Sequence, residues 1–142
     1  MGKFQNIFVV LIAVVALVII STPAKAAQDY WNNDTRYPFI CSASLADVYL
    51  DTESIDILSV PKEEQQPLIF RESILSVDKK TGQIYERPSF RFKIYPHKGD
   101  MFYDPGDGDG YVQITEQSLS DGDEYEVIVY LSLLKGLELL AQ

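Results

Sequence analysis

The chain has 142 residues, 46% of them hydrophobic, and a formal net charge of −9. That length suits one domain able to bury its own core. The acid excess sets the chain against nucleic acid and anionic membrane surfaces. A lone cysteine, Cys41, excludes a disulfide framework, so stability must come from packing.

The first 27 residues read as a leader. Lys3 gives a positive start, residues 7–20 are continuously apolar, Ser21-Thr22-Pro23 breaks the run, and Ala24-Lys25-Ala26 offers small residues for a peptidase. The run falls short of the roughly 20 residues a membrane span needs. Cleavage after Ala26 or Ala27 is expected, with a retained anchor as the alternative. The protein is then secreted or periplasmic, within the cell envelope, and free of the membrane. Loss of residues 1–27 removes two lysines and no acid, taking the formal charge to −11, and leaves a single domain over 28–142.

Residues 28–36 form a polar arm that Tyr30 and Trp31 can tie down. Residues 37–44 are a short apolar strand. Residues 46–60 alternate, with Val48 and Leu50 set against Tyr49 and Asp51, and resume at Ile55 and Ile57; a turn or one helical turn is expected at 51–54. A proline-bounded loop covers 61–67. Two β-rich runs, 68–77 and 83–95, flank Asp78-Lys79-Lys80-Thr81-Gly82, which has the chemistry of a type I hairpin turn with glycine in the left-handed position. Pro88 implies a bulge or an edge in the second run. Residues 100–104 and 111–117 are further short strands.

The last segment has helical character. Residues 120–123 resemble an N-cap with acids in the first turn. From 124 onward Val127, Val129, Tyr130, Leu131, Leu133, Leu134, Leu137, Leu140 and Ala141 share one face, with Glu124, Ser132, Lys135, Gly136 and Glu138 opposite. A strand to about residue 131 followed by a shorter helix is the alternative. Ile128 and Leu139 fall on the polar side and ask for a cover, either a loop or a second copy in a homodimer. The expected fold class is α+β: a curved antiparallel sheet of about five or six strands with the C-terminal helix packed on one face.

The stretch "DPGDGDGYVQITE" at 104–116 offers an oxygen-rich loop. With Gly110 at the sixth position of an EF-hand-type loop, Asp107 and Asp109 fall on the third and fifth positions and Glu116 on the twelfth. Pro105 occupies the first position and cannot ligate, Asp104 comes one residue early, and the flanks read as strands. A glycine-rich hairpin with solvated aspartates accounts for the same residues. If calcium binds, Asp104, Asp107, Asp109 and Glu116 are its ligands.

Catalytic residues are sparse. His97 sits in an apparent turn, nothing local marks Cys41 as a nucleophile, and no spacing among Glu63, Glu64, Glu72 and Glu86 singles out an acid–base pair. No phosphate-cradling loop, paired-histidine motif or basic stripe is present. The aromatics are many: nine tyrosines, seven phenylalanines and one tryptophan. Phe90 and Phe92, two apart, face a core, whereas outward tyrosines would suit protein recognition.

The stretch "DVYLDTESIDIL" followed by "VDKKTGQIY" and "SFRFKIY" resembles a pattern in small secreted bacterial proteins, some of them similar to the surface-adhesin E family. The shared element is Leu50-Asp51-Thr52-Glu53-Ser54-Ile55, and the resemblance spans roughly residues 46 to 103. It implies a meander of strands and attachment to host proteins; it assigns no functional residue. The expected function is non-catalytic binding of a protein or cell-surface component. A calcium-binding structural or adhesive domain and a small hydrolase are the alternatives.

Overall fold

The computed structural model describes residues 29–142. The expected leader, its cleavage point and Gln28 lie outside the described residues. Seven strands make one antiparallel sheet: β1 (Phe39–Ser42), β2 (Ala46–Ser59), β3 (Leu68–Asp78), β4 (Ile84–Glu86), β5 (Ser89–Tyr95), β6 (Asp100–Asp104) and β7 (Val112–Ile114). Their order is β1-β2-β3-β5-β6-β7, with β4 beside the far end of β3. A short helix, α1 (Gln117–Ser120), leads into α2 (Glu124–Leu140). The sheet curls into a half-barrel against α2, which is the expected α+β arrangement. Among the described residues no helix is long and apolar enough to cross a membrane.

Period-two alternation builds the inner face. Phe70, Ile74, Phe90, Phe92 and Ile94 are buried, while Arg71 and Arg91 between them are exposed. Val48, Leu50, Met101, Tyr103 and Ile114 extend the same layer toward the two edges, and Val129, Tyr130, Leu133 and Leu137 of the helix fill its centre. Each large side chain removed from water this way contributes about 1.5–3 kcal/mol. The helix itself is capped by Asp123, whose carboxylate accepts the Glu126 amide at 2.9 Å. The capping residue therefore lies at the end of the expected 120–123 segment; Ser120 belongs to α1 instead.

Three features differ from the sequence reading. The helix is buried on more than one face: Ser132 is fully buried and Gly136 is also buried, although both were expected on the polar side. A concave sheet wraps more of a helix than a flat one can. Ile128 and Leu139 also pack partly against this core, so much of the cover they ask for comes from their own chain. Pro88, which cannot donate to a ladder, splits the expected 83–95 strand into β4 and β5, and its carbonyl accepts the Ile74 amide at 3.0 Å. The Asp78 turn forms as expected: Asp78 Oδ1 accepts the amides of Lys80 (2.7 Å) and Thr81 (2.9 Å), and Gly82 takes φ +69°.

The third difference is in β2. No turn or helix separates its halves; one 14-residue strand continues through a bulge. Asp51 pairs with Ser73, but the next pair on the far side is Asp56 with Arg71. Ser54 fills the gap in the ladder. Its hydroxyl donates to the Asp51 carbonyl (2.6 Å) and accepts the Ser73 amide (2.7 Å) that a regular strand would have served. Asp51 itself holds a two-pronged ion pair with Arg36 (2.8 and 2.9 Å), which pulls the N-terminal arm onto the outer face. The Asp-x-x-Ser element is thus a device for bending a long strand without orphaning its backbone. Ser54→Ala should destabilise the protein by about 1–2 kcal/mol, because it strands the Ser73 amide; chemical denaturation with the slope unchanged would measure it.

Candidate functional site

The sequence-predicted site residues do not converge. In the 104–110 loop Asp104 Oδ1 accepts the Gly106 amide (2.8 Å) and Asp107 Oδ1 the Asp109 amide (2.9 Å). Gly106, Gly108 and Gly110 all have φ near +80 to +90°, a conformation open to glycine at no steric cost. The loop joins β6 to β7 as a hairpin, and Glu116 lies beyond β7, at the start of α1. Among the described residues no group of three or more His, Cys, Asp or Glu side chains is placed to hold a metal. His97 pairs with Glu64 at 3.0 Å in a small cleft of about 190 Å³ beside Pro61 and Pro96. Cys41 lies on β1, away from that cleft in the strand order. Burial, reinforced by Glu124 and Asp47, pushes its thiol up to about 12, so the thiolate needed for nucleophilic chemistry does not form near neutral pH.

The outer face carries no broad apolar patch either. Its apolar half, Tyr49, Leu75 and Val77, is covered by Trp31, Tyr37 and Phe39 from the N-terminal arm and β1. Trp31 meets Tyr37 edge-on at 5.5 Å, and Phe39 meets Tyr49 in the same way at 5.7 Å. The remaining half mixes charged side chains with Ile69, Tyr95, Phe102 and Tyr111.

What the fold does open is a groove of about 310 Å³ at the N-terminal end of α2. Its floor is core: Val48, Ile74 and Phe90. Its rim is Leu45 from the β1–β2 turn, Tyr85 from β4 and Tyr125 from α2, respectively 74%, 58% and 46% exposed. Each wall has a local cause. Ser44 of the β1–β2 turn is tied to the helix by Glu124, whose carboxylate accepts both its hydroxyl (2.7 and 2.9 Å) and its amide. Those same hydrogen bonds hold the Glu124 carboxyl below its ordinary range. The break at Pro88 ends β4 early and leaves Tyr85 projecting. Tyr125 stacks edge-on against Phe90 at 6.2 Å, and burial together with Glu86 and Asp123 raises its phenol pKa. The rim is therefore apolar and aromatic, with carboxylates around it. Leu45, Tyr85 and Tyr125 carry no common motif in the sequence; only chain reversal at 43–46 and strand pairing bring them together.

One titratable group lies deeper. Glu72, on the inner face of β3, is fully buried, and neither carboxylate oxygen has a hydrogen-bond partner among the described residues. Ser132, beside it, donates its hydroxyl to the Val129 carbonyl instead (2.8 Å). Burial raises the Glu72 pKa well above the carboxylate range, so the group is a neutral acid within the core. Gly136 makes room for it: a Cβ there would sit 2.1 Å from Glu72 Oε2 and 3.1 Å from Phe70 Cε2. This acid was indistinguishable in sequence from its exposed neighbours, because only the strand register reveals which face it takes.

No family model, no curated protein and no solved structure matches the chain.

Two outcomes follow from Glu72. Its native pKa is raised, so its contribution to stability is fully present below the unfolded glutamate pKa, near 4.3, and is lost as pH climbs toward the native value. Glu72→Met removes that penalty and keeps the volume. It should stabilise the protein by roughly 1–3 kcal/mol at pH 8 and by less at pH 4, as thermal melts at the two values would show. Gly136→Ala should cost about 1–3 kcal/mol despite alanine's better helix propensity. In a Glu72→Ala background the same substitution should cost less, a coupling that a double-mutant cycle would measure.

Proposed function

We propose that the protein is a non-catalytic binding domain of the cell exterior or envelope, and that the groove at the start of α2 receives an apolar or aromatic side chain of a protein or surface partner. The observation that carries this reading is the exposure of Leu45, Tyr85 and Tyr125 around a cleft floored by the core. Large apolar side chains left in water around a concave site are characteristic of recognition surfaces, and tyrosine gives contact area at low entropic cost. A volume of about 310 Å³ takes one large side chain rather than an extended small molecule. Glu86 and Asp123, close enough to raise the Tyr125 pKa, favour a partner with a basic residue next to its anchor. The acidity of the whole chain supports the same preference. Secretion and attachment to an external surface belong to this proposal and rest on the leader sequence and on the resemblance to secreted adhesins.

Selection of a displayed random-peptide library on the protein tests the reading. The expected binders combine an aromatic or long aliphatic residue with an adjacent lysine or arginine. Leu45→Ser and Tyr85→Ser should each weaken them about tenfold while leaving the melting temperature nearly unchanged, as both side chains are largely exposed. Binders indifferent to both substitutions would refute the assignment of the groove.

A further inference from the structure

The chain has four arginines, at positions 36, 71, 87 and 91. Strand pairing gathers them on the outer side of the sheet. Arg71 stands directly opposite Arg91, on neighbouring strands. Both point away from the core, since Phe70, Glu72, Phe90 and Phe92 on either side of them are buried. Arg36 holds Asp51 on that face, and the charge of Arg87 reaches the same carboxylate. Lys93, two residues along β5 from Arg91, continues the column, its ammonium 3.9 Å from the centre of the Tyr111 ring. In a chain of net charge −9, this half of the face thus collects all four arginines, interleaved with the carboxylates of Asp51, Glu53, Asp56 and Asp104.

The row across the sheet reads Asp56, Arg71, Arg91, Asp104. Arg71 is paired with Asp56 at 3.0 Å. Arg91 has no ion pair or side-chain hydrogen bond among the described residues, and Asp104 opposite it accepts the Gly106 amide of its own loop. Two like charges facing each other across strands destabilise a sheet. An anion placed between them relieves that repulsion and gives Arg91 the two-pronged partner its planar guanidinium fits. The hydroxyls of Ser73 and Ser89, one row away and 2.6 Å from each other, add neutral donors. The flanking aspartates hold the row near neutrality. That disfavours dense polyanions such as nucleic acid or a sulfated glycan, and suits a single carboxylate. The same face already holds three carboxylates of its own chain on arginine, Asp51 and Glu53 on Arg36 and Asp56 on Arg71.

We infer that the open half of the outer sheet face is a second binding surface, which takes the carboxylate of an acidic protein segment between Arg71 and Arg91. It lies on the opposite side of the sheet from the core-floored groove. The two surfaces would allow one domain to bridge a basic-apolar partner and an acidic one.

The test is a titration of the isotope-labelled protein with an acetylated, amidated tetraglutamate peptide, followed by amide chemical shifts, with inorganic phosphate and a heparin fragment as parallel arms. The peptide should shift Ser73, Ser89 and the two arginines. Arg91→Gln and Arg71→Gln should each weaken it about tenfold, and added salt should weaken it further. Lys80→Gln, which removes the same charge from the β3–β4 turn, and Leu45→Ser in the groove should leave it unchanged. Arg91→Gln should also melt no lower than the parent protein, since it relieves the Arg–Arg opposition. Equal affinity of Arg91→Gln and the parent protein would overturn the inference. So would tighter binding of phosphate or heparin than of the peptide at these residues, which would mark the platform as a general polyanion surface.

Discussion

A seven-stranded sheet has two faces to keep from water, and the described residues supply one long helix to do it. That imbalance governs the rest of the structure. The sheet answers by curling, so its concave side closes around α2 and buries even residues that a flat sheet would have left exposed. Curling in turn demands close approach in the middle of the concavity. Gly136 supplies it, letting β3 come near enough that the Glu72 carboxyl occupies the space a helix side chain would otherwise take. A neutral acid without partners is an expensive thing to enclose, and it identifies the point where helix and sheet are most tightly matched.

The convex side is managed differently. Among the described residues no second α-helix covers it, and the short arm from Asp29 to Arg36 reaches only its apolar half. The arm is held by aromatic contacts and by Arg36 on Asp51. The bulge at Ser54 is part of the same arrangement, since it lets β2 bend while Asp51 remains aimed at the arm. Beyond the arm the outer positions mix charged and aromatic side chains, and there the arginines collect. The groove arises for a related reason at the other side of the sheet, where the Pro88 break and the β1–β2 turn leave the start of α2 incompletely packed. Both of the proposed binding surfaces thus sit where cover runs out.

Local chemistry made much of the architecture legible. Alternation in 68–77 and 83–95, the Asp78–Gly82 turn and the leucine-rich C-terminal segment sufficed to place the central strands, their hairpin and the helix. The misread parts depend on distant partners. Asp51-Thr52-Glu53-Ser54 looks like a turn until Ser73 is known to lie opposite, because serine and aspartate serve a bulge as well as they serve a reversal. Ser132 and Gly136 look like a polar face until the curvature of the sheet is known. The groove and the arginine platform were invisible for the same reason. Their residues are scattered over 43–128 and 36–91, and no basic stripe runs along the sequence; only the register sets Arg71 beside Arg91. The aspartates at 104–109 show the converse: a dense local motif in which the side chains of Asp104 and Asp107 accept amides of their own turn.

The half-barrel remains open, and an open sheet has borders. Here they are β1, four residues long with an irregular register beside β2, and β7, only three residues long and preceded by a glycine-rich acidic hairpin. Short, bent margins next to negative charge give a neighbouring molecule few consecutive amides and carbonyls to copy. A protein with this much β structure and such greasy strands could otherwise stack edge to edge into fibrils. Its stunted outer strands oppose that route.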